Sequence, residues 1–236
     1  MMQGLILAGG RGSRLAADGI ATPKALVEVA GRPQLVRLVE TFAELGCETI
    51  TCMVHEGVPT GWSARVSGIE LTVRSCRTPS SLHTLAAGLA VAPPGPVFCA
   101  MVDTVMPAAD WWNVYQAVTV QLAIGSLAVL AVTPFVDDEL PVYVFRDAAG
   151  FATEISDAVP SIGVPLVSGG VYGFSTVARR LAGVAVGSLH RMRAFLKLLV
   201  DLKMPVSTVE VPRIIDLDHK RDLDAAEAWL TTRVAP

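Results

Sequence analysis

The strongest constraint on this chain is a set of short apolar runs with no polar alternate face. Val97–Val102 and Ser126–Val132 are almost wholly apolar, and Gly4–Ala8 is a continuous apolar run that ends in glycines. A strand that meets water on one face alternates apolar and polar residues, so these strands must be covered on both faces. Helical patterns lie between them. Leu35, Leu38, Val39, Phe42 and Leu45 fall on one face of Pro33–Leu45, with Pro33 in a permissive first turn and Gly46 as a stop. Pro79–Val91 repeats Leu82, Leu85, Ala86 and Leu89 at three and four, and Ala109–Leu122 is a third helix. With Thr49–Val54 as a further strand, the order predicts an α/β fold with a mostly parallel sheet and helices on both faces.

The second half is less regular. Pro141–Phe145 and Phe151–Ile155 flank a polar turn and predict a small antiparallel excursion. Val167–Phe174 reads as a glycine-rich strand, Leu189–Leu202 as a helix, Val206–Val211 as a last strand and Lys220–Thr232 as a closing helix. No repeat or linker divides the chain, so a single domain over residues 1–236 is expected, with 137–165 as an insertion or lid. In such sheets ligands bind beyond the carboxyl ends of the strands, which directs attention to the residues that follow each one.

Composition narrows the class. With 52% hydrophobic residues and 17% charged, the chain is too aliphatic for disorder. A net charge of −3 offers no footprint for nucleic acid or an anionic membrane. The uncharged stretches Thr78–Val102 and Trp111–Val136 are broken by Pro93, Pro94, Gly95 and Pro96 and by Gly125–Ser126, so each reads as a helix followed by a strand rather than a membrane span. The start lacks the basic region of a signal peptide, and a cytoplasmic location is expected. Cys47, Cys52, Cys76 and Cys99 form no C-x-x-C pair, so zinc is not expected. Trp111 and Trp112 are expected to pack on the sheet, and His55, His83, His190 and His219 to be surface or structural.

The first strand opens into Leu7-Ala8-Gly9-Gly10-Arg11-Gly12-Ser13-Arg14-Leu15. Closely spaced glycines let backbone N–H groups approach and cradle phosphate, although an ordinary strand-to-helix turn can carry them too. The loop lacks the Gly-Lys-Ser/Thr ending of a Walker A motif, and Leu15 stands where a dinucleotide fingerprint needs glycine. Nearby, Pro23-Lys24-Ala25-Leu26 runs on to Gly31-Arg32-Pro33, so Lys24 and Arg14 bring two cations close to one phosphate-sized loop.

Across residues 5–33 this pattern resembles the signature L-A-G-G-x-G-x-R-L…P-K-x-L-x-x-V-x-G-x-P of the nucleotidyltransferase family of the sugar-nucleotide pyrophosphorylases. The resemblance implies a Rossmann-like fold and an Mg²⁺-dependent enzyme that joins an NTP to a small phosphorylated acceptor and releases pyrophosphate. It implies that Leu7, Ala8, Gly9, Gly10 and Gly12 hold the nucleotide and that Arg14 and Lys24 act on the phosphates. Metal ligands are implied at Asp103, which follows an apolar strand, and at Asp216 or Asp218 in Asp216-Leu-Asp218-His-Lys-Arg-Asp222-Leu. Asp218 could instead cap the closing helix, with Asp222 complementing its dipole. Ser80 and Ser81 take the place of the family's base-contacting turn and are similar to the Ser-Ser-Leu of phosphocholine cytidylyltransferase-like members; an N-capping serine explains them equally well.

Ser168-Gly169-Gly170-Val171-Tyr172 resembles the strand that borders the family's acceptor pocket. Glu154, Gly169 and Gly170 are therefore the acceptor-side candidates. The family's Glu-Lys pair is broken here, because Ile155 follows Glu154, and Arg179, Arg180, Arg191 or Arg193 could supply the missing cation. A sugar 1-phosphate is the first acceptor expected. Phosphocholine, another small phosphate or phosphonate, or molybdopterin is the alternative, and a catalytically silent nucleotide-sugar sensor is a third reading. The sequence gives no oligomeric state.

Overall fold

The computed structural model describes residues 2–59, 69–137, 139–159 and 164–232. The chain runs through β1 (Gln3–Ala8), α1 (Ser13–Ala17), a 3-10 turn at Lys24–Leu26, β2 (Glu28–Val29), β3 (Arg32–Pro33), α2 (Gln34–Glu44), β4 (Thr49–His55) and β5 (Glu70–Cys76). It continues with α3 (Ser81–Val91), β6 (Val97–Met101), β7 (Thr104–Val105), α4 (Ala108–Ala123), β8 (Ala128–Thr133), β9 (Tyr143–Arg146) and β10 (Ala152–Ser156). Then follow β11 (Val167–Phe174), α5 (Thr176–Ala185), α6 (Met192–Asp201), β12 (Val206–Glu210), β13 (Ile215–Asp216) and α7 (Lys220–Thr231).

The central sheet is mixed and mostly parallel. β5, β4, β1 and β6 lie side by side in parallel, and β8 and β12 form a second parallel pair. β11 runs antiparallel between β6 and β8 and joins the two groups. Alternate residues of each central strand enter opposite cores: Ile6 and Phe98 pack with α2 and α4, while Leu5 and Cys99 face α3, α5 and α6. This burial on both faces is why the strands carry no polar alternation. Phe98 sits at the centre of the first core, with ring centroids 5.0 Å from Phe42 and 5.3 Å from Tyr115.

The expected face of α2 is buried from Leu35 through Phe42. Pro33, however, stands just outside α2 and pairs with Glu28, so the helix begins one residue later. In α3 the buried face uses Thr84 and Gly88 beside the leucines, and Ala86 is only half-buried. Trp111 packs in the core, whereas Trp112 is exposed rather than set against the sheet. Burial pushes the Cys47 thiol up to about 12, as befits a small core hydrophobe. Thr78–Val102 resolves into α3 and β6, and Trp111–Val136 contributes most of α4 and all of β8; among the described residues no helix is long and apolar enough to cross a membrane.

The antiparallel excursion is the β9–β10 hairpin. β11 is antiparallel to β6, so its first residues extend beyond the carboxyl end of that strand, and there Val167 pairs with Tyr143 of β9. The hairpin thus stands beside the end of the sheet at which β1 and β6 stop. Residues 138 and 160–163 of the expected insertion lie outside the described residues.

Phe98→Ala should lower unfolding stability by about 3–5 kcal/mol, the cost of emptying a fully buried aromatic site, as measured by the urea midpoint.

Candidate functional site

The glycine loop leaves β1 at Ala8. Leu7 and Ala8 are themselves buried, so any contact they make with a ligand is through backbone. Gly12 precedes α1 with φ +65, and a Cβ there would stand 2.8 Å from the Lys24 Cβ. Glycine is therefore required twice at this position, for its dihedral and for the close approach of the Lys24 segment. Pro23 leads into the 3-10 turn that carries Lys24 inward, and the Leu26 N–H closes the turn on the Pro23 carbonyl at 2.7 Å.

The acids arrive from the other half of the chain. Asp103 lies between β6 and β7, and β7 pairs antiparallel with β13, with Thr104 opposite Asp216. The Leu217 N–H donates to the Asp103 carbonyl at 3.0 Å, so two residue stretches far apart in sequence become adjacent through main-chain bonds. Buried Gln34 donates to the Thr104 carbonyl at 2.8 Å, and the Thr104 hydroxyl donates to the Gly169 carbonyl at 3.2 Å. Gly170 has φ +75, and a side chain there would come within 2.5 Å of that hydroxyl.

Lys24 stands at the convergence. Its ammonium is 2.7 Å from Asp103 Oδ2 and 2.6 Å from Asp218 Oδ1, with only 9% of the side chain exposed. Arg14 donates to the other oxygen of Asp218. Burial works against the charge on Lys24, but Asp103 and then Asp218 override it, and its pKa stands above the ordinary 10.5. Burial works against the charge on Asp218 as well, yet Lys24 and Arg14 hold its carboxyl below the usual 3.8.

Asp218 is not the helix cap. His219 occupies that position in a reciprocal box with Asp222, whose carboxylate accepts from the His219 and Asp218 N–H groups at 2.6 and 3.0 Å. His219 also bonds Asp18 at the end of α1, which ties the arginine-bearing segment to α7. The role of His219 is therefore structural.

The cleft has two adjoining parts that share Pro79, Ser80, Ser81 and Met101. One is walled by Gly9, Gly10, His55, Arg77 and Thr78, the other by Asp103, Asp216, Asp218, Gly170, Tyr172 and Arg191. The two serines reach it, but the Ser80 hydroxyl pairs with the His83 ring at 2.9 Å and the Ser81 hydroxyl accepts from the Met192 N–H at 3.1 Å. The acceptor-side candidates separate. Gly170 lines the cleft, while Gly169 lines an adjoining pocket with Arg14, Asp216 and Asp218 and packs under Ile214, where any side chain would collide. Glu154 is exposed on β10 in a neighbouring groove with Asp157, His190 and Lys197.

Of the four arginines considered, Arg179 is spent on the carbonyls of Leu89, Ala92, Pro93 and Gly95 at the end of α3, and Arg180 is exposed away from the cleft walls. Arg191 and Arg193 line the cleft, the latter paired with Asp157. Sequence reasoning missed His55 and Arg77. Each sits at the carboxyl end of a strand, β4 and β5, where a ligand-facing residue is expected once the strand is recognised. Among the described residues no cluster of three or more His, Cys, Asp or Glu could hold a metal by itself. An all-oxygen set led by one or two carboxylates fits Mg²⁺, which draws its other ligands from water and phosphate.

Residues 4–148, more than half of the chain, match the MobA-like NTP transferase domain. The chain belongs to that family. Two curated relatives are the mannose-1-phosphate guanyltransferase of Pichia angusta and mannose-1-phosphate guanyltransferase 2 of Candida glabrata, each 43% identical over 54 residues. Those matches cover 23% of this chain and 15% of either relative, so the chain spans a small part of their length. The fold of this NTP transferase family member is shared with two solved structures. The inositol-1-phosphate CTP transferase from T. maritima aligns over 100% of this chain and 98% of its own, with a TM-score of 0.76 and 15% identity. A Bacillus anthracis protein assigned as a glucose-1-phosphate thymidylyltransferase, solved with sucrose, aligns over 100% and 97%, with a TM-score of 0.79 and 16% identity.

The lowered pKa of Asp218 means that its bridge stabilises the fold fully above the ordinary value of 3.8 and loses that contribution as the pH falls through the lower folded value. Wild type and Asp218→Asn should differ by about 1 kcal/mol at pH 7, a figure reduced for solvent screening, and their urea midpoints should converge as the pH falls through that lowered folded value.

Proposed function

We propose that the cleft transfers a nucleotidyl group from an NTP to a phosphate oxygen of a small acceptor, with pyrophosphate as the second product. The observation that carries this reading is the meeting of Lys24, Arg14, Asp103 and Asp218 beside a glycine loop, at the end of the sheet where β1 and β6 stop. The acceptor oxygen attacks the α-phosphorus in line, and the bond from the α-phosphorus to the bridging oxygen breaks with its electron pair leaving on pyrophosphate. A phosphate monoester is already ionised near neutral pH, so no side chain needs to remove a proton. Positioning and charge neutralisation then carry the reaction.

The loop N–H groups from Ala8 to Gly12 would hold the phosphates. Lys24 and Arg14 would stabilise the charge that develops on pyrophosphate. Asp103 and Asp216, neighbours through the β7–β13 ladder, would hold Mg²⁺, with Asp218 left to the two cations. Bound there, the metal would neutralise phosphate charge. Leu140 and Val142 reach the cleft from the expected 137–165 lid, which would cover the acceptor side. The cytoplasm, where NTP is supplied, is the proposed location.

A sugar 1-phosphate is the first acceptor to test, supported by the names of the partial relatives. A smaller phosphate or phosphonate is the second, favoured by the position of Glu154 outside the cleft and by Arg191 as the cleft-side cation. Pyrophosphate release from each of four NTPs with Mg²⁺ and a panel of acceptors separates them. Turnover on hexose 1-phosphates supports the first, and turnover confined to choline phosphate or phosphonates supports the second. Nucleotide binding without pyrophosphate release from any pair would reject transfer and leave the sensor reading.

Asp103→Asn should lower kcat by about 10²–10³, equivalent to about 2.7–4 kcal/mol, while the fold is retained by circular dichroism. Arg191→Ala should raise the acceptor KM about tenfold and leave the NTP KM nearly unchanged.

A further inference from the structure

We propose that Asp218 is a built-in stand-in for the phosphate groups: its carboxylate occupies the two cations until a nucleotide displaces it, and this exchange sets the affinity of the site for anions. The inference rests on the nucleotidyl-transfer reading. Its basis is the way Asp218 is held. Each of its two oxygens takes a different cation, Lys24 on Oδ1 at 2.6 Å and Arg14 on Oδ2, much as two phosphate oxygens would.

The backbone beneath this carboxylate is fixed. The Asp218 N–H is bonded to Asp222, the next residue caps α7, and Asp18 accepts from the Lys220 N–H at 2.9 Å. The proposed exchange therefore asks for a side-chain rotation of Asp218 and not for a change in the chain path. Lys24 cannot move away in the same manner. It is almost enclosed, with no room for a side chain at Gly12 beside its Cβ, so its ammonium needs anionic partners in either state, Asp103 among them.

A consequence follows for selectivity. A ligand must replace a carboxylate already in good geometry, so a weakly charged anion gains little, whereas a polyphosphate with several oxygens gains more. Asp218 would thereby keep the cations oriented between turnovers and hold small anions out. It is a positioning residue, acting on substrate only through Lys24 and Arg14.

The test is calorimetric binding of inorganic pyrophosphate to the intact protein in EDTA, for wild type, Asp218→Asn and Asp218→Ala. Asp137→Asn serves as the control for charge alone, because Asp137 lines an adjoining pocket with Arg14 and Asp218 and, among the described residues, forms an ion pair with neither cation. The two Asp218 variants should bind pyrophosphate about tenfold more tightly or better, and the control within about threefold of wild type. In turnover with Mg²⁺, Asp218→Asn should lower both the NTP KM and kcat, since the cations are freed but no longer held in place. A structural or metal-ligand role would instead raise KM and leave the metal-free affinity unchanged.

Unchanged or weaker pyrophosphate binding by both Asp218 variants, or equal tightening in the control, overturns the inference and leaves nucleotidyl transfer standing. Wild type that binds neither pyrophosphate nor any NTP overturns both. If Asp218→Asn fails to fold, the decision passes to Asp218→Ala, and failure of both to fold overturns the inference by making the bridge structural.

Discussion

A lysine ammonium almost removed from water cannot remain charged without anions within hydrogen-bond reach. In this protein Lys24 meets that requirement with two carboxylates from different parts of the chain, and the site is organised around this need. Because the lysine follows the first strand and the acids follow later ones, its charge is satisfied only where three distant segments meet at the carboxyl end of the central strands. Arg14 then shares the same Asp218 carboxylate and fixes the orientation of the loop helix.

The rest of the architecture holds this arrangement in place. The parallel strands end together, so whatever follows β1 and β6 emerges side by side. The short β7–β13 ladder adds the last acidic segment by main-chain bonds, which are indifferent to side-chain identity. Gln34 braces that ladder at the Thr104 carbonyl, and the Thr104 hydroxyl ties it to Gly169. β11 serves two purposes: part of it completes the sheet against β6, and its overhanging start carries the hairpin beside the cleft. The glycines at 12 and 170 lie where backbone must pass close to a neighbour, and each faces a residue of the site or its brace.

Elements with a strong period were legible, and those without one were not. The doubly buried strands and the apolar face of α2 could be read directly because burial writes itself into alternation and into spacing of three and four. β5 escaped because it is an edge strand with only intermediate or exposed positions, so no continuous apolar run marks it. α5 escaped because its buried face consists of alanines, Ala178, Ala182 and Ala185, which give little hydrophobic contrast. With β5 missed, Arg77 could not be placed on the cleft wall, whereas His55 directly follows the predicted strand Thr49–Val54 and was within reach of the sequence. Glu154 stands outside the cleft for a different reason: Glu154, Ile155 and Ser156 of β10 line the neighbouring groove together, and where a hairpin lies relative to the sheet is set only when its strands pair.

The amino-acid order by itself determined the class of fold, the glycine loop and the identity of the charged groups available to it. These are local properties, set by burial periodicity and by residues that only glycine or a fixed proline can replace. The tertiary structure alone decided how those charges pair. It gave Asp218 to Lys24 and Arg14, made His219 rather than Asp218 the cap of α7, and withdrew Arg179 from the cleft to close α3. Such choices depend on distances between segments up to two hundred residues apart, and Coulomb energy responds to those distances rather than to position along the chain.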